Sequence, residues 1–152
     1  MRAGNIVGVV VAAASLSIVS LYWANSEAEV ARIPYDQPEM VSLGQTVYDG
    51  HCASCHGVQL EGEPNWRQRD AAGLLPAPPH DASGHTWHHA DQMLFELTKY
   101  GIQRFAGADY VSKMPVYDGV ITDEEIWAAL AYIKSTWPDD IIERHNAAFS
   151  DR

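Results

Sequence analysis

Cys52-Ala53-Ser54-Cys55-His56 is the most informative stretch of this sequence, because it holds two thiols and an imidazole at fixed spacing. Cys52 and Cys55 are the only cysteines among the 152 residues. A disulfide-rich scaffold and a four-cysteine zinc or iron–sulfur site are therefore excluded within this chain. A redox-active dithiol would need a thioredoxin-like βαβ context, which the sequence lacks, and a zinc ion would lack its fourth ligand.

The C-x-x-C-H spacing is instead typical of the attachment of a c-type haem. Two thiols one helical turn apart can each form a thioether with a vinyl group of the same porphyrin, and the imidazole that follows then lies beneath the iron. We therefore expect one covalently bound haem c. Cys52 and Cys55 are its predicted attachment sites, and His56 is its predicted axial ligand.

Composition and charge narrow the class of protein further. Hydrophobic residues make up 47% of the chain and charged residues 20%, which is a globular composition rather than a disordered one. The formal net charge is −10. Because the phosphates of nucleic acids need a basic surface, this acidic balance predicts that the chain has no nucleic-acid partner.

The first 26 residues have the pattern of a membrane segment. No charged residue occurs between Ala3 and Ser26, and the apolar stretch from Ile6 to Ala24 is long enough as a helix to cross a hydrocarbon core of about 30 Å. Arg2 predicts that the N-terminus stays in the cytoplasm. We expect residues 1–26 to be a single-pass anchor in the inner membrane, with the remaining chain in the periplasm; a cleaved signal peptide is the alternative.

The exported part of the sequence predicts helices and no strands. Residues 27–39 show no apolar periodicity and are predicted to be a linker. Residues 57–84 are rich in Gly, Pro and His and are predicted to be mainly loop. Thr122 and Glu125 have the spacing of a capping box at a helix start. The predicted helices are residues 41–51, 90–100, 123–136 and 139–149, and the domain is expected to be all-α.

The haem motif and the helices predicted on either side of it resemble those of the monohaem class I cytochromes c. Gly44 and Tyr48 precede the haem motif at spacings similar to those of that family's N-terminal helix, and residues 122–137 are similar to its C-terminal helix. The resemblance covers residues 41–137 and implies the class I cytochrome c fold for residues 40–152. It also implies that the two helices cross with Gly44 against Tyr132, which agrees with the close backbone approach that only glycine permits.

The resemblance also implies the remaining groups around the haem. The family takes its sixth iron ligand from a methionine in a loop before the last helix, and Met114, followed by Pro115, has that position. Met93 is the competing methionine, although its place on an apolar helix face favours a core role. A proline carbonyl is expected to bind His56. The candidates for that carbonyl are Pro76, Pro78 and Pro79, and the candidate donors to the haem propionates are Arg104, Trp66 and Trp87.

Four histidines fall within ten residues: His80, His85, His88 and His89. We interpret them as part of a polar loop. A copper or zinc site is one alternative, since imidazole suits both metals, and a histidine of this cluster as sixth haem ligand is another.

A six-coordinate haem predicts an electron carrier rather than an enzyme, because no open iron position remains for a substrate. The sequence therefore predicts a membrane-anchored cytochrome that carries single electrons between respiratory complexes. A bc1-type complex as donor and a terminal oxidase as acceptor are implied only by the resemblance. The alternative function is that of a fixed haem subunit within a larger membrane redox enzyme. A third possibility, an enzyme with open iron, would require that Met114 does not bind the iron.

Overall fold

The computed structural model describes residues 32–107 and 109–149, and these residues form helices joined by long loops, with no strand among them. The predicted membrane anchor lies outside these residues. Within the described ranges, no helix combines the length and the apolar character needed to cross a membrane. The α-helices are α1 (Pro38–His51), α2 (Ala53–His56), α3 (Asp91–Tyr100), α4 (Gln103–Ala106), α5 (Asp123–Ser135) and α6 (Asp139–Phe149), and a 3₁₀-helix covers Thr86–His88.

The four helices expected from the sequence are present, with bounds that differ by at most three residues. Helix α1 begins at Pro38, inside the predicted linker, because proline is favoured in the first helical turn. The predicted capping box is confirmed. Thr122 Oγ1 accepts from the backbone N–H of Glu125 at 3.2 Å, and the Glu125 carboxylate accepts from the backbone N–H of Thr122 at 2.7 Å. The short helices α2 and α4 and the 3₁₀-helix were not among the helices expected from the sequence.

Helices α1 and α5 form the most extensive helix–helix contact, and they cross at Gly44. A Cβ atom on Gly44 would collide with the backbone carbonyl of Ala128 and would lie 3.0 Å from the Cβ of Tyr132. The expected contact with Tyr132 is therefore present, but the closest approach is to the backbone of α5. A residue without a side chain is required at this crossing.

Within the described residues, the apolar core consists of two clusters of buried side chains. The first cluster contains the buried side chains of Ile33, Leu94, Phe95, Tyr117, Ile126, Leu130 and Ala131, with Met40 and Met114 packed against it. The second contains Tyr48, Ala53, Leu60, Ile133, Trp137 and Ile141, with Cys52 and Trp87 packed against it. The second cluster thus includes Ala53 and contacts Cys52, and the first contacts Met114. This packing helps to hold these three residues in place.

A buried charged network joins α3, α5 and α6. Lys134 Nζ lies 3.5 Å from Asp91 Oδ1 and 3.0 Å from His145 Nδ1, and all three side chains are almost fully buried. Asp91 Oδ2 accepts from the backbone N–H of Ile33 at 2.8 Å. The network therefore ties the segment before α1 and the C-terminal helix to the centre of the domain.

Candidate haem-binding site

The haem motif lies at the junction of α1 and α2. Cys52 ends α1 and begins the single turn of α2, in which the backbone N–H of His56 donates to the Cys52 carbonyl at 3.0 Å. Both thiols are free of a disulfide; Cys55 is exposed and Cys52 is partly buried. Burial and the neighbouring Cys55 raise the pKa of the Cys52 thiol to about 11. The turn thus presents two available thiols and an imidazole on one short helix.

The imidazole of His56 is buried and held in one tautomer. Its Nδ1–H donates to the backbone carbonyl oxygen of Pro78 at 2.8 Å, so Nε2 keeps its lone pair. Burial lowers the pKa of His56 despite this hydrogen bond, which favours the neutral ring that can bind a metal. Of the three prolines that the sequence left open, Pro78 is the one whose carbonyl binds His56.

Several hydrogen bonds hold the loop of residues 57–84 against the motif. The backbone N–H of Gly62 donates to the carbonyl of His56 at 2.8 Å, and the N–H of Glu63 donates to the carbonyl of Ala77 at the same distance. Tyr48 of α1 donates from its hydroxyl to the Gly57 carbonyl at 2.8 Å. These bonds place the Pro78 carbonyl beside His56 although 22 residues separate the two.

His80 packs directly on the predicted axial ligand. Its ring is stacked on the ring of His56 with 4.0 Å between centroids, and its Nδ1 lies 2.8 Å from Oγ1 of Thr86. The indole N–H of Trp137 donates to the backbone carbonyl of His80 at 2.8 Å. Burial, followed by the nearby His56, lowers the pKa of His80 well below its ordinary value. Sequence reasoning missed this role, for which the position of His80 directly after Pro78-Pro79 was the available signal.

The other histidines of the cluster have aromatic neighbours. His85 is stacked on Trp66 and His88 is stacked on Trp87. Among residues 32–107 and 109–149, no group of three or more His, Cys, Asp or Glu side chains is arranged to hold a metal ion.

Met114 is partly buried and packs against the first core cluster. Its backbone N–H donates to Oγ of Ser112 at 3.0 Å, which gives the loop a local turn. Met40 packs against the same cluster from α1, whereas Met93 lies partly buried on α3. The assignment of Met114 as sixth ligand stays a prediction.

The three candidate donors to haem propionates differ in their surroundings. Arg104 is paired with Glu96 at 3.0 Å on the surface. Trp66 lies between His85 and the guanidinium of Arg67. The indole N–H of Trp87 is buried and has no hydrogen-bond partner within the described residues. A buried donor without an acceptor is costly, so Trp87 is the candidate whose environment calls for an additional acceptor.

The residues present fit a covalently bound haem. Cys52 and Cys55 supply two thiols that form no disulfide, and His56 supplies a nitrogen lone pair fixed in orientation by Pro78. A hydrogen bond at the remote nitrogen of a ligating histidine is the usual support of a metal–imidazole bond. The donor set is therefore that of a c-type haem rather than of a thiolate metal centre.

Comparison with known proteins agrees with this geometry. The cytochrome c family model matches residues 41–137, which is more than half of the chain. The chain is 28% identical over 112 residues to the cbb3-type cytochrome c oxidase subunit FixP of Sinorhizobium medicae (strain WSM419), covering 73% of this chain and 35% of FixP. It is 27% identical over 128 residues to the quinohemoprotein alcohol dehydrogenase ADH IIB of Pseudomonas putida, covering 82% of this chain and 16% of that enzyme.

The chain thus spans about a third and about a sixth of the length of these two relatives. No solved structure matches it at a significant level. The all-helical fold agrees with the class I architecture expected from the sequence. The chain belongs to the cytochrome c family, whose members carry covalently attached haem c, and its C-x-x-C-H motif fits that attachment.

Proposed function

We propose that this protein is a membrane-anchored cytochrome that passes single electrons between respiratory redox complexes on the periplasmic face of the inner membrane. Electron transfer itself follows from membership of the cytochrome c family. Residues 1–26 would form the anchor, residues 27–39 the linker and residues 40–152 a domain with a single haem. A bc1-type complex and a terminal oxidase are the proposed donor and acceptor.

The proposed ligand set gives each side chain one task. Cys52 and Cys55 hold the haem through thioether bonds, His56 supplies the nitrogen ligand, and Met114 supplies the sulfur ligand. When bound, the haem supplies the reversible one-electron change at its iron. The protein would keep the two ligands in place in both oxidation states, which would keep the reorganisation energy small, and Met114 would occupy the iron position that a substrate would need.

The hydrogen bond from His56 Nδ1 to the Pro78 carbonyl is the observation that carries this proposal. It fixes the ring orientation and makes Nε2 a better electron donor to iron. A soft thioether from Met114 as the other ligand would favour ferrous iron and raise the reduction potential. The two ligands together support a carrier of fairly high potential that suits exchange with respiratory complexes.

The absorption spectrum of the purified, oxidised protein tests this function. Sulfur ligation to ferric haem gives a weak far-red charge-transfer band, and we expect Met114→Ala to abolish it. Met93→Ala is the matched control and should keep the band. A low-spin spectrum without the band would point to histidine ligation, and a high-spin spectrum would point to an open iron position and an enzyme.

A fixed haem subunit of a larger redox enzyme is the second candidate. Its support is that one relative is named as an oxidase subunit and the other as a dehydrogenase. Purification of the full chain from detergent-solubilised membranes separates the two functions. A freely exchanging carrier should be recovered without stoichiometric partners at moderate salt, whereas a fixed subunit should co-purify with the same polypeptides in constant ratio.

A further inference from the structure

Two loops distant in sequence are joined by one ion pair beside the candidate haem site. Lys113 Nζ lies 2.7 Å from Asp70 Oδ2, and 43 residues separate the two. Asp70 belongs to the loop of residues 57–84, which also carries Pro78. Lys113 belongs to the methionine loop, which we define as residues 109–120, and directly precedes Met114. We call this contact the interloop ion pair.

Asp70 is held in place by its own loop, independently of Lys113. Its Oδ1 accepts from the backbone N–H groups of Ala72 and Leu74, each at 2.9 Å, and its own N–H donates to the Leu74 carbonyl at 2.8 Å. Only Oδ2 faces Lys113. The carboxylate therefore offers the methionine loop a fixed anion whose orientation costs little further entropy.

The two ends of the methionine loop are anchored differently. Tyr117, at the C-terminal side of Met114, is buried; its hydroxyl donates to the His51 carbonyl at 2.5 Å and its backbone N–H donates to the Thr98 carbonyl at 3.3 Å. Lys113, at the N-terminal side, has a half-exposed side chain. Because a buried anchor opens less readily than an exposed one, the loop should open first at Lys113.

The interloop ion pair is linked to the loop that carries Pro78. Lys113 Nζ contacts Asp70 of that loop, and Asp70, followed by Glu63 of the same loop, raises the pKa of Lys113. Glu63 is itself bonded to the backbone N–H of Ala77, close to Pro78. The ion pair thus connects the chain segment beside Met114 to the loop that supports His56.

We propose that Asp70 and Lys113 are positioning residues that keep Met114 on the iron by closing the N-terminal end of the methionine loop. This inference rests on the proposed function, in which Met114 is the sixth ligand. Neither residue touches the iron. Their effect is on the rate at which the sulfur leaves, since an external ligand can bind the iron only after Met114 has moved away.

Binding of imidazole to the oxidised, haem-loaded protein tests this role, with loss of the far-red band as the signal. Asp70→Asn keeps an acceptor for Ala72 and Leu74 but removes the anion that faces Lys113. Lys113→Ala removes the cation. For each variant we expect the rate of imidazole binding to rise about two- to fivefold. This range corresponds to the small free energy that an exposed ion pair usually contributes. Lys113→Arg should keep the wild-type rate.

A double variant and a control complete the experiment. Asp70→Asn combined with Lys113→Ala should be no faster than either single variant, because both remove the same interaction. Asp140→Asn removes the carboxylate of an exposed ion pair within α6, where Asp140 lies 3.0 Å from Arg144, and should keep the wild-type rate. Raising the salt from about 0.01 M to 1 M should speed binding in the wild type and not in the double variant.

The outcomes separate this inference from the function on which it rests. Wild-type rates in both single variants, with the far-red band present, would overturn the interloop ion pair as a positioning contact and leave Met114 as the ligand. Additive rates in the double variant would also overturn it. A wild-type protein without the band would instead refute the assignment of Met114, and the positioning role would fall with it.

Discussion

Gly62 lies against the Pro78–Pro79 peptide bond so closely that no side chain fits between them. A Cβ atom on Gly62 would lie 2.7 Å from the carbonyl carbon of Pro78 and 2.5 Å from the nitrogen of Pro79. The oxygen of that same Pro78 carbonyl accepts the Nδ1–H of His56. The position of the Pro78 carbonyl is therefore set by its backbone contact with Gly62. A substitution at Gly62 should change the hydrogen bond of His56, the predicted iron ligand, without contacting His56 itself.

Gly62→Ala should raise the reduction potential. The added methyl group would displace the Pro78 carbonyl and lengthen its bond with His56, which makes the imidazole a weaker donor and favours ferrous iron. The same change should cost about 2–4 kcal/mol of folding stability, because Gly62 has a φ of 68° and the new Cβ atom would collide with the Pro78–Pro79 backbone. Redox titration of the haem-loaded protein measures the potential, and denaturant unfolding measures the stability.

Gly73→Ala is the matched control for this change. Gly73 has a φ of 78°, but a Cβ atom there would meet no atom within 4 Å. Gly73→Ala should therefore show a smaller loss of stability, of about 1 kcal/mol, with an unchanged potential. Equal potentials in Gly62→Ala and the wild type would show that the Pro78 carbonyl can shift without weakening the His56 bond.

The sequence was most informative where local chemistry determines the structure. The capping box of Thr122 and Glu125 predicted the start of α5, because both partners lie within one helical turn. The resemblance to the class I cytochromes c implied Gly44 as the crossing residue, and the close backbone approach at that crossing explains why it is glycine. The C-x-x-C-H motif was equally decisive, since its chemistry depends on residues within a single turn.

The sequence was less informative where the fold brings together residues that are distant along the chain. Three prolines were equivalent in the sequence, and only the path of residues 57–84 places the carbonyl of Pro78 at His56. Lysine is usually found at the protein surface, but Lys134 is fully buried, because Asp91 and His145 contact it from two other helices. The ion pair of Asp70 and Lys113 likewise depends on loop paths that no local pattern encodes.

Gly44→Ala should severely destabilise the protein. The new methyl group would collide with the Ala128 carbonyl at the crossing of α1 and α5. The two helices could relieve this collision only by moving apart, which would lose the close packing between them. We expect a loss of about 3 kcal/mol or more in thermal or denaturant unfolding. Gly50→Ala, also within α1, meets no atom within 4 Å and should instead stabilise the helix by about 0.5–1 kcal/mol. Similar losses in both variants would contradict the assigned crossing.

His80→Ala should destabilise the site around His56. The change removes the ring that is stacked on His56 and leaves the buried hydroxyl of Thr86 without its partner. We expect a loss of about 1–3 kcal/mol in denaturant unfolding of the haem-loaded protein. His80→Phe should recover part of this loss, because it restores the stacked ring. His88→Ala, at an exposed position, should change stability by less than about 0.5 kcal/mol. Equal effects at positions 80 and 88 would contradict a stabilising role for the stacked pair.

Protonation of His145 should make folding stability depend on pH. Burial, followed by the positive charge of Lys134, lowers the pKa of His145 below its ordinary value of 6.5, although Asp91 acts in the opposite direction. The neutral ring accepts from Lys134 at Nδ1 and donates from Nε2 to the His89 carbonyl at 3.0 Å. An imidazolium ring could not accept from Lys134. The folded protein therefore binds a proton at His145 less readily than the unfolded chain does.

The sign of the effect follows from this difference. Below pH 6.5 His145 binds a proton in the unfolded chain, whereas His145 of the folded protein stays neutral. The free energy of unfolding should therefore fall as the pH drops from about 6.5 toward the lowered pKa, by at most about 1.4 kcal/mol per pH unit. Unfolding free energies between pH 5 and pH 7.5 measure this slope. His145→Gln should be less stable at pH 7.5 and should show a shallower slope than the wild type, because His145 no longer contributes. An unchanged slope in His145→Gln would show that His145 is not the group responsible.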